Sequence, residues 1–235
     1  MMGKVLYMRK GETHAAPKKP GIALADIAVG SLVKLNESGS PVEFYVAKHN
    51  YESSLNGTGR TLLVRKDCCN NVMAYSDYYG AYSKSALDSW LNNTYKSRLD
   101  VAVRDAISTT KFYCSYGGGY GGGMSLSAVT TLSKAVFSPS ATEISLSTYG
   151  NFNAEGSKLS VANAIAIAYC NGSKVGYWTR SSSSYAEDRS IFVSTEGQAV
   201  ETSCTSYNTK YPRPCFTLPA NTLFNAETME FLGVA

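Results

Sequence analysis

Gly176-Tyr177-Trp178-Thr179-Arg180-Ser181 opens the stretch that decides how this chain is read, and Arg213-Pro214-Cys215-Phe216-Thr217-Leu218 closes it. Between them lie a loop over residues 181–188, two strand-like runs over 189–195 and 198–203, and a second loop over 204–212. The first run alternates, with Ile191 and Val193 on one face and Ser190, Phe192 and Ser194 on the other, as a strand requires. The Glu196-Gly197 step between the runs suits a tight turn with positive φ at the glycine. The loops hold mostly Ser, Thr, Tyr, Asn, Asp and Glu. Rigid tyrosines mixed with small adaptable hydrogen-bonders are the chemistry of a recognition surface. The expected ligand contacts are Ser182, Ser184, Tyr185, Glu187, Asp188, Arg189, Thr205, Tyr207, Asn208, Lys210 and Tyr211, joined by Tyr78 and Tyr79 from an upstream polar loop. Arg180 and Arg213 stand at framework positions and are expected to hold loop carbonyls or a carboxylate, because arginine is seldom buried unpaired.

Outward from that stretch, composition narrows the classes. The 235 residues are enough to bury a sizeable core, and 44% apolar with 17% charged residues describes a folded, lightly charged chain. The net charge of +4 is unclustered, so nucleic acid is excluded as an expected partner. Seventeen tyrosines against eight phenylalanines and two tryptophans are lopsided. Many of them cluster with Ser, Gly and Asn: Tyr75, Tyr78, Tyr79 and Tyr82; Tyr113, Tyr116 and Tyr120; Tyr185, Tyr207 and Tyr211. These clusters read as contact surface, whereas Tyr45 and Tyr169 sit inside apolar runs and read as half-buried strand residues.

The six cysteines include no Cys-x-x-Cys and no pairing with the two histidines at ligand spacing, so neither a zinc site nor another metal or cofactor is expected. Residues 1–10 lack the apolar core of a signal peptide, and no run approaches a membrane span, so membrane insertion is not expected. Synthesis in the cytosol, with reduced thiols, is expected. Cys170 and Cys215 read as small buried hydrophobes. Cys68, Cys69 and Cys204 fall in polar loops and read as candidate exposed thiols, but no histidine is near them in sequence to lower their pKa. Asp67, Asp77, Glu187 and Asp188 show no pairing that implies acid–base work. No catalytic residue is expected.

In chain order, residues 1–20, with Arg-Lys-Gly-Glu-Thr-His followed by Ala-Ala-Pro-Lys-Lys-Pro, read as an attachment arm or linker. Residues 21–235 form one domain. It begins with a hairpin turning over residues 36–41, and residues 61–65 then form a short central strand. After a long polar loop over 67–84, Ser83 or Ser85 caps a helix with Ala86, Leu87, Trp90, Leu91 and Tyr95 on its pattern. A second helix buries Leu99, Val101, Val103 and Ile107. Trp90 and Trp178 are expected as core anchors. The glycine run between Tyr116 and Gly123 lacks the Lys-Ser/Thr of a phosphate loop and reads as a mobile surface loop. Residues 135–137 read as a short strand, Ser140 and Glu143 stand at capping-box spacing, and residues 160–169 fit either a helix or a buried strand.

Taken in order, several motifs carry a resemblance. They are Ser85-Ala86-Leu87-Asp88-Ser89-Trp90-Leu91-Asn92, Val136-Phe137 with Ser140-Ala141-Thr142-Glu143, Tyr177-Trp178-Thr179-Arg180-Ser181, and Arg213-Pro214-Cys215. The chain resembles a large domain family of unassigned function that is common in prophages of gut bacteria, over roughly residues 21–224. Its members show a Trp-Trp-Leu-Arg-Ser-Pro-like motif and end near Val-Arg-Pro-Ala-Leu. This chain departs in lacking the second Trp and the Pro, and in carrying Cys215-Phe216.

Residues 2–14 also resemble the leader of phage structural proteins in that group. The family is similar to C-type-lectin-like folds, including variable proteins diversified by retroelements. The Glu-Pro-Asn and Trp-Asn-Asp triplets of calcium-dependent lectins are missing, which removes the sequence basis for a calcium site.

The resemblance implies an α+β domain of C-type-lectin-like architecture, with short strands, two helices and long surface loops. It implies a non-enzymatic receptor-binding protein of a phage tail or phage-like particle. The expected partners are a host-cell surface protein or glycan and, through the arm, other phage structural proteins, with a homotrimer as one assembly. A carbohydrate-binding module and a purely structural particle protein are the alternatives.

Overall fold

A computed structural model describes residues 21–119, 121, 123–205 and 209–235; the proposed arm, Tyr120, Tyr207 and Asn208 lie outside the described residues. The strands are β1 (Gly21–Ala23), β2 (Leu32–Glu37), β3 (Ser40–His49), β4 (Arg60–Arg65), β5 (Thr110–Ser115), β6 (Val129–Lys134), β7 (Ser147–Thr148), β8 (Ala168–Cys170), β9 (Ser173–Val175), β10 (Tyr177–Ser182), β11 (Arg189–Val193), β12 (Gln198–Ser203), β13 (Cys215–Pro219), β14 (Thr222–Asn225) and β15 (Phe231–Val234). The helices are α1 (Ser53–Asn56), α2 (Ala86–Trp90), α3 (Lys96–Arg98), α4 (Val101–Ala106), α5 (Ala141–Ile144) and α6 (Ala162–Ile165). Short strands dominate and helices are few: the fold class is α+β.

Two four-stranded sheets frame the core, ordered β13-β4-β3-β2 and β10-β11-β12-β7. The expected hairpin is β2–β3, turning at Ser38 and Gly39, both at positive φ. Strand β4 lies inside its sheet between β13 and β3, as its run of buried Thr61, Leu62, Leu63 and Val64 requires. The pair β11–β12 closes at Gly197, whose φ is 80°. A third sheet, β1-β14-β15, joins the two ends of the described chain; the sequence reading had no strands at 222–235. It also missed β6, which pairs with β5.

Ser85 caps α2, its side chain accepting from the Asp88 backbone. That helix continues through a π-helical stretch, Leu91–Tyr95, into α3. In the second helical segment Leu99 and Val103 are buried, but Val101 is 61% exposed, because α4 begins at Val101 and turns that position outward. Ser140 and Glu143 form the full capping box at the start of α5. Residues 160–169 resolve as α6 followed by the start of β8.

Several side chains differ from expectation. Tyr75 and Tyr82 are fully buried, although their cluster read as contact surface. Tyr75 packs edge-on against Trp178 at 5.3 Å, and the Tyr82 hydroxyl accepts from the Ser138 N–H. Tyr169 is 40% exposed because it is the outward residue of β8. Trp178 is fully buried, whereas Trp90 is half-buried and carries the Arg98 guanidinium 5.1 Å from its ring centroid.

All six cysteines are buried thiols, so Cys68, Cys69 and Cys204 are not exposed. Burial pushes the Cys68 thiol up to about 12 and Cys204 to about 11, the direction opposite to a reactive thiolate. His49 is held by Thr61 Oγ1 at 2.9 Å and by the Ile27 carbonyl at 3.0 Å.

Candidate ligand-binding face

Strand β10 is the spine of the candidate site. Every residue of it is buried, because it lies between β11 on one side and the segments at Pro139 and Tyr211 on the other. Its central Arg180 has no solvent contact. The guanidinium grips Glu143 in bidentate fashion, Nη1 to Oε2 at 2.7 Å and Nη2 to Oε1 at 3.0 Å. It also donates to the carbonyls of Tyr113, Ser138 and Glu155. Burial opposes its charge, and Glu143, Tyr51 and Glu155 together more than offset that. Tyr51 donates to the same carboxylate at 2.6 Å.

Arg213 works differently. It is fully buried too, but donates to the carbonyls of Arg65, Ile165 and Lys66, with its guanidinium 4.9 Å from the Tyr177 ring centroid. Neither arginine can touch a ligand from these positions.

Three loops leave this framework and pack on one another. The Gly80 N–H donates to the Glu187 carbonyl at 2.7 Å, and Ala81 N–H donates to the Gly118 carbonyl at 3.0 Å. The glycines make this possible. A Cβ on Gly118 would stand 2.0 Å from the Glu187 carbonyl oxygen, and one on Gly119 would stand 2.4 Å from the Tyr79 ring. Gly117 and Gly118 are therefore buried packing residues, not part of a free surface loop. Between the loops lies an open slot of about 330 Å³, walled by Tyr79, Gly118, Gly121, Met124, Leu126 and Glu187.

On this face Tyr185 is 82% exposed, Tyr78 71% and Tyr79 44%. Tyr78 and Tyr79 meet edge-to-face at 5.2 Å. Glu187, Asp188 and Arg189 are exposed beside them. Thr205 is half-buried next to Cys204, whose N–H donates to the Asp188 carbonyl. Ser184 is half-buried, its N–H bonded to the Asn151 carbonyl.

Three expected contacts belong elsewhere. Ser182 is fully buried and donates to the Gly80 carbonyl, because β10 runs on through the first two residues of the loop expected there. Lys210 is half-buried, its ammonium 4.6 Å from the Phe192 ring centroid and 5.8 Å from that of Trp178. Burial pulls its pKa down. Tyr211 is half-buried and its backbone bridges Tyr177. Lys210 and Tyr211 thus cover the scaffold around Trp178. Tyr207 and Asn208, between them and Thr205, lie outside the described residues.

Sequence reasoning missed Met124, the Gly117–Gly119 backbone and the carboxylates Glu143 and Glu155. Only Glu143 carried a signal, and that signal was for a helix cap. No group of His, Cys, Asp and Glu that could hold a metal ion occurs among the described residues. No helix there is long and apolar enough to cross a membrane.

No curated protein and no solved structure matches the chain. Residues 58–220, more than half of its length, match the family described as Domain of unknown function (DUF6273), and the chain belongs to that family.

Proposed function

We propose that this protein is a non-enzymatic binder that engages a host-cell surface protein or glycan through the face formed by Tyr78, Tyr79, Tyr185, Glu187 and Asp188. The observation that carries the reading is the exposure of three tyrosines on loops locked to one another by backbone hydrogen bonds and glycine contacts. Exposed aromatic rings add little to the stability of a fold, but offer contact area at low entropic cost on a rigid support. The carboxylates beside them supply acceptors for orientation.

In this reading the domain is C-type-lectin-like and works at a phage tail or related particle, with residues 1–20 as the attachment arm and the face open to retroelement diversification. Short strands, few helices and long loops support the architecture, and the motif resemblance supports the setting. The test is a pull-down on bacterial envelopes with Tyr78, Tyr79 and Tyr185 changed together to Ser. Loss of binding with the protein still folded supports the reading, and undiminished binding overturns it. Protease or glycosidase treatment of the envelopes separates a protein from a glycan receptor.

A further inference from the structure

Glu155 lies in an irregular segment to which no role has been given, yet it is fully buried. Its Oε1 accepts the Ser115 N–H at 2.6 Å, and its Oε2 accepts the Ser181 hydroxyl at 2.9 Å. Ser115 ends β5 and leads into the glycine loop at Gly117–Gly119; Ser181 stands one residue before the end of β10, which leads into the loop bearing Tyr185 and Glu187. One carboxylate thus clamps the bases of two loops that build the candidate face. Its own backbone is clamped as well: the N–H donates to Thr142 Oγ1 at 3.1 Å, and the carbonyl accepts from Ser140 Oγ at 2.9 Å.

We infer that Glu155 is a positioning residue that couples the glycine loop to the Tyr185 loop, so that the binding face holds its shape only while this clamp is closed. The inference rests on the binding-face reading, but it concerns the geometry of the loops rather than the identity of a ligand.

The charge around the clamp gives it a direction. Among the described residues Arg180 on β10 is its one close cation, Nε to Oε2 at 3.8 Å, and that guanidinium is already paired with Glu143 of α5. Cys114 of β5 and the Tyr75 hydroxyl face it as neutral groups, and Tyr51 reaches it through Glu143 and Arg180. Two buried carboxylates therefore share one buried arginine. Burial pushes the Glu155 carboxyl up, against the lowering pull of Arg180, Ser115 and Ser181. With its folded value raised above the unfolded one, the folded chain holds this proton more tightly than the unfolded chain does. The contribution of this carboxyl to the stability of the fold is fully present below the ordinary glutamate value of 4.5 and is lost as pH rises through the raised one. Glutamine at 155 can mimic the neutral acid: its oxygen accepts from the Ser115 N–H, and its amide reverses the second contact by donating to Ser181 Oγ.

The experiment is hydrogen–deuterium exchange on the full chain across pH, corrected for intrinsic rates, reading the amides of Gly80, Ala81 and Cys204, which bond to the Glu187, Gly118 and Asp188 carbonyls. In wild type, protection should fall as pH rises. In E155Q it should stay high and flat, and in E155A both loops should open together by about tenfold or more. A wild-type profile as flat as that of E155Q overturns the proposal, as does a folded E155A that frees one loop alone. Should E155A fail to fold, the comparison of wild type with E155Q still decides. A parallel pull-down on bacterial envelopes separates the two readings: coupled loops without envelope binding retire the receptor and keep the clamp.

Discussion

Gly118 and Glu187 touch backbone to backbone: the Cα hydrogen of the glycine faces the glutamate carbonyl so closely that a methyl group would stand 2.0 Å from its oxygen and 2.3 Å from its Cα. Backbone atoms cannot move aside as a flexible side chain can. Gly118→Ala should therefore push the glycine loop off the Tyr185 loop and break the Ala81–Gly118 hydrogen bond. The expected cost is about 1–3 kcal/mol, as for overpacking elsewhere. A chemical-denaturation curve and amide exchange at Ala81 check it; a wild-type stability would show that the loops are not in register as described.

The Arg180–Glu143 pair has no solvent contact on either side. Removing one partner leaves the other charged and buried, so Arg180→Ala or Glu143→Ala should each cost about 3–5 kcal/mol. Replacing both together by apolar residues of similar volume should cost less than the sum, and a double-mutant cycle measures the difference. Additive losses would mean that the two residues act independently.

Tyrosine exposure separates stability from binding. Changing Tyr78 or Tyr185 to Ser should move the unfolding free energy by no more than about 0.5 kcal/mol each, and Tyr79→Ser by more, because its ring packs on Gly119. Envelope binding should fall more, since aromatic anchors contribute about 2 kcal/mol or more. Tyr75→Ser and Tyr82→Ser should do the reverse and destabilise strongly, because both rings are in the core.

The two tryptophans should differ. Trp178→Ala removes a fully buried indole whose N–H donates to the Met73 carbonyl at 2.8 Å, and should cost about 3–5 kcal/mol. Trp90→Ala loses a half-buried ring stacked on Tyr95 at 5.9 Å and should cost clearly less. Equal melts for the two variants would contradict the burial difference.

The thiols should be silent in the native state. Burial raises Cys68 to about 12 and Cys204 to about 11, so the thiolate forms only above those values while the fold persists. A thiol-reactive dye at pH 8 should label the protein at the rate of its unfolding, and denaturant should release all six groups together. Fast native labelling of any cysteine would show it to be open.

Much of the framework was legible because it depends on short-range rules. The Ser140–Glu143 box, the Ser85 cap, the turn at Gly197 and the alternation of Ile191 and Val193 are all set within about four residues, where backbone geometry alone brings groups together. Burial of Trp178 and the interior place of β4 followed from apolar runs. The site was only partly legible. Clustering with Ser and Gly did not separate Tyr78 and Tyr79, which face solvent, from Tyr75 and Tyr82, which fill the core. Ser182, Lys210 and Tyr211 read as loop residues because the sequence does not say where β10 ends or what covers Trp178. The partners of Arg180 lie 37 residues away at Glu143 and 67 away at Tyr113, and those of Arg213 lie 148, 147 and 48 residues upstream at Arg65, Lys66 and Ile165. No local period encodes such distances. Glu155 sat in a segment with no pattern, and only the fold brings it under both loops, because a buried carboxylate must find its donors wherever the packed chain presents them.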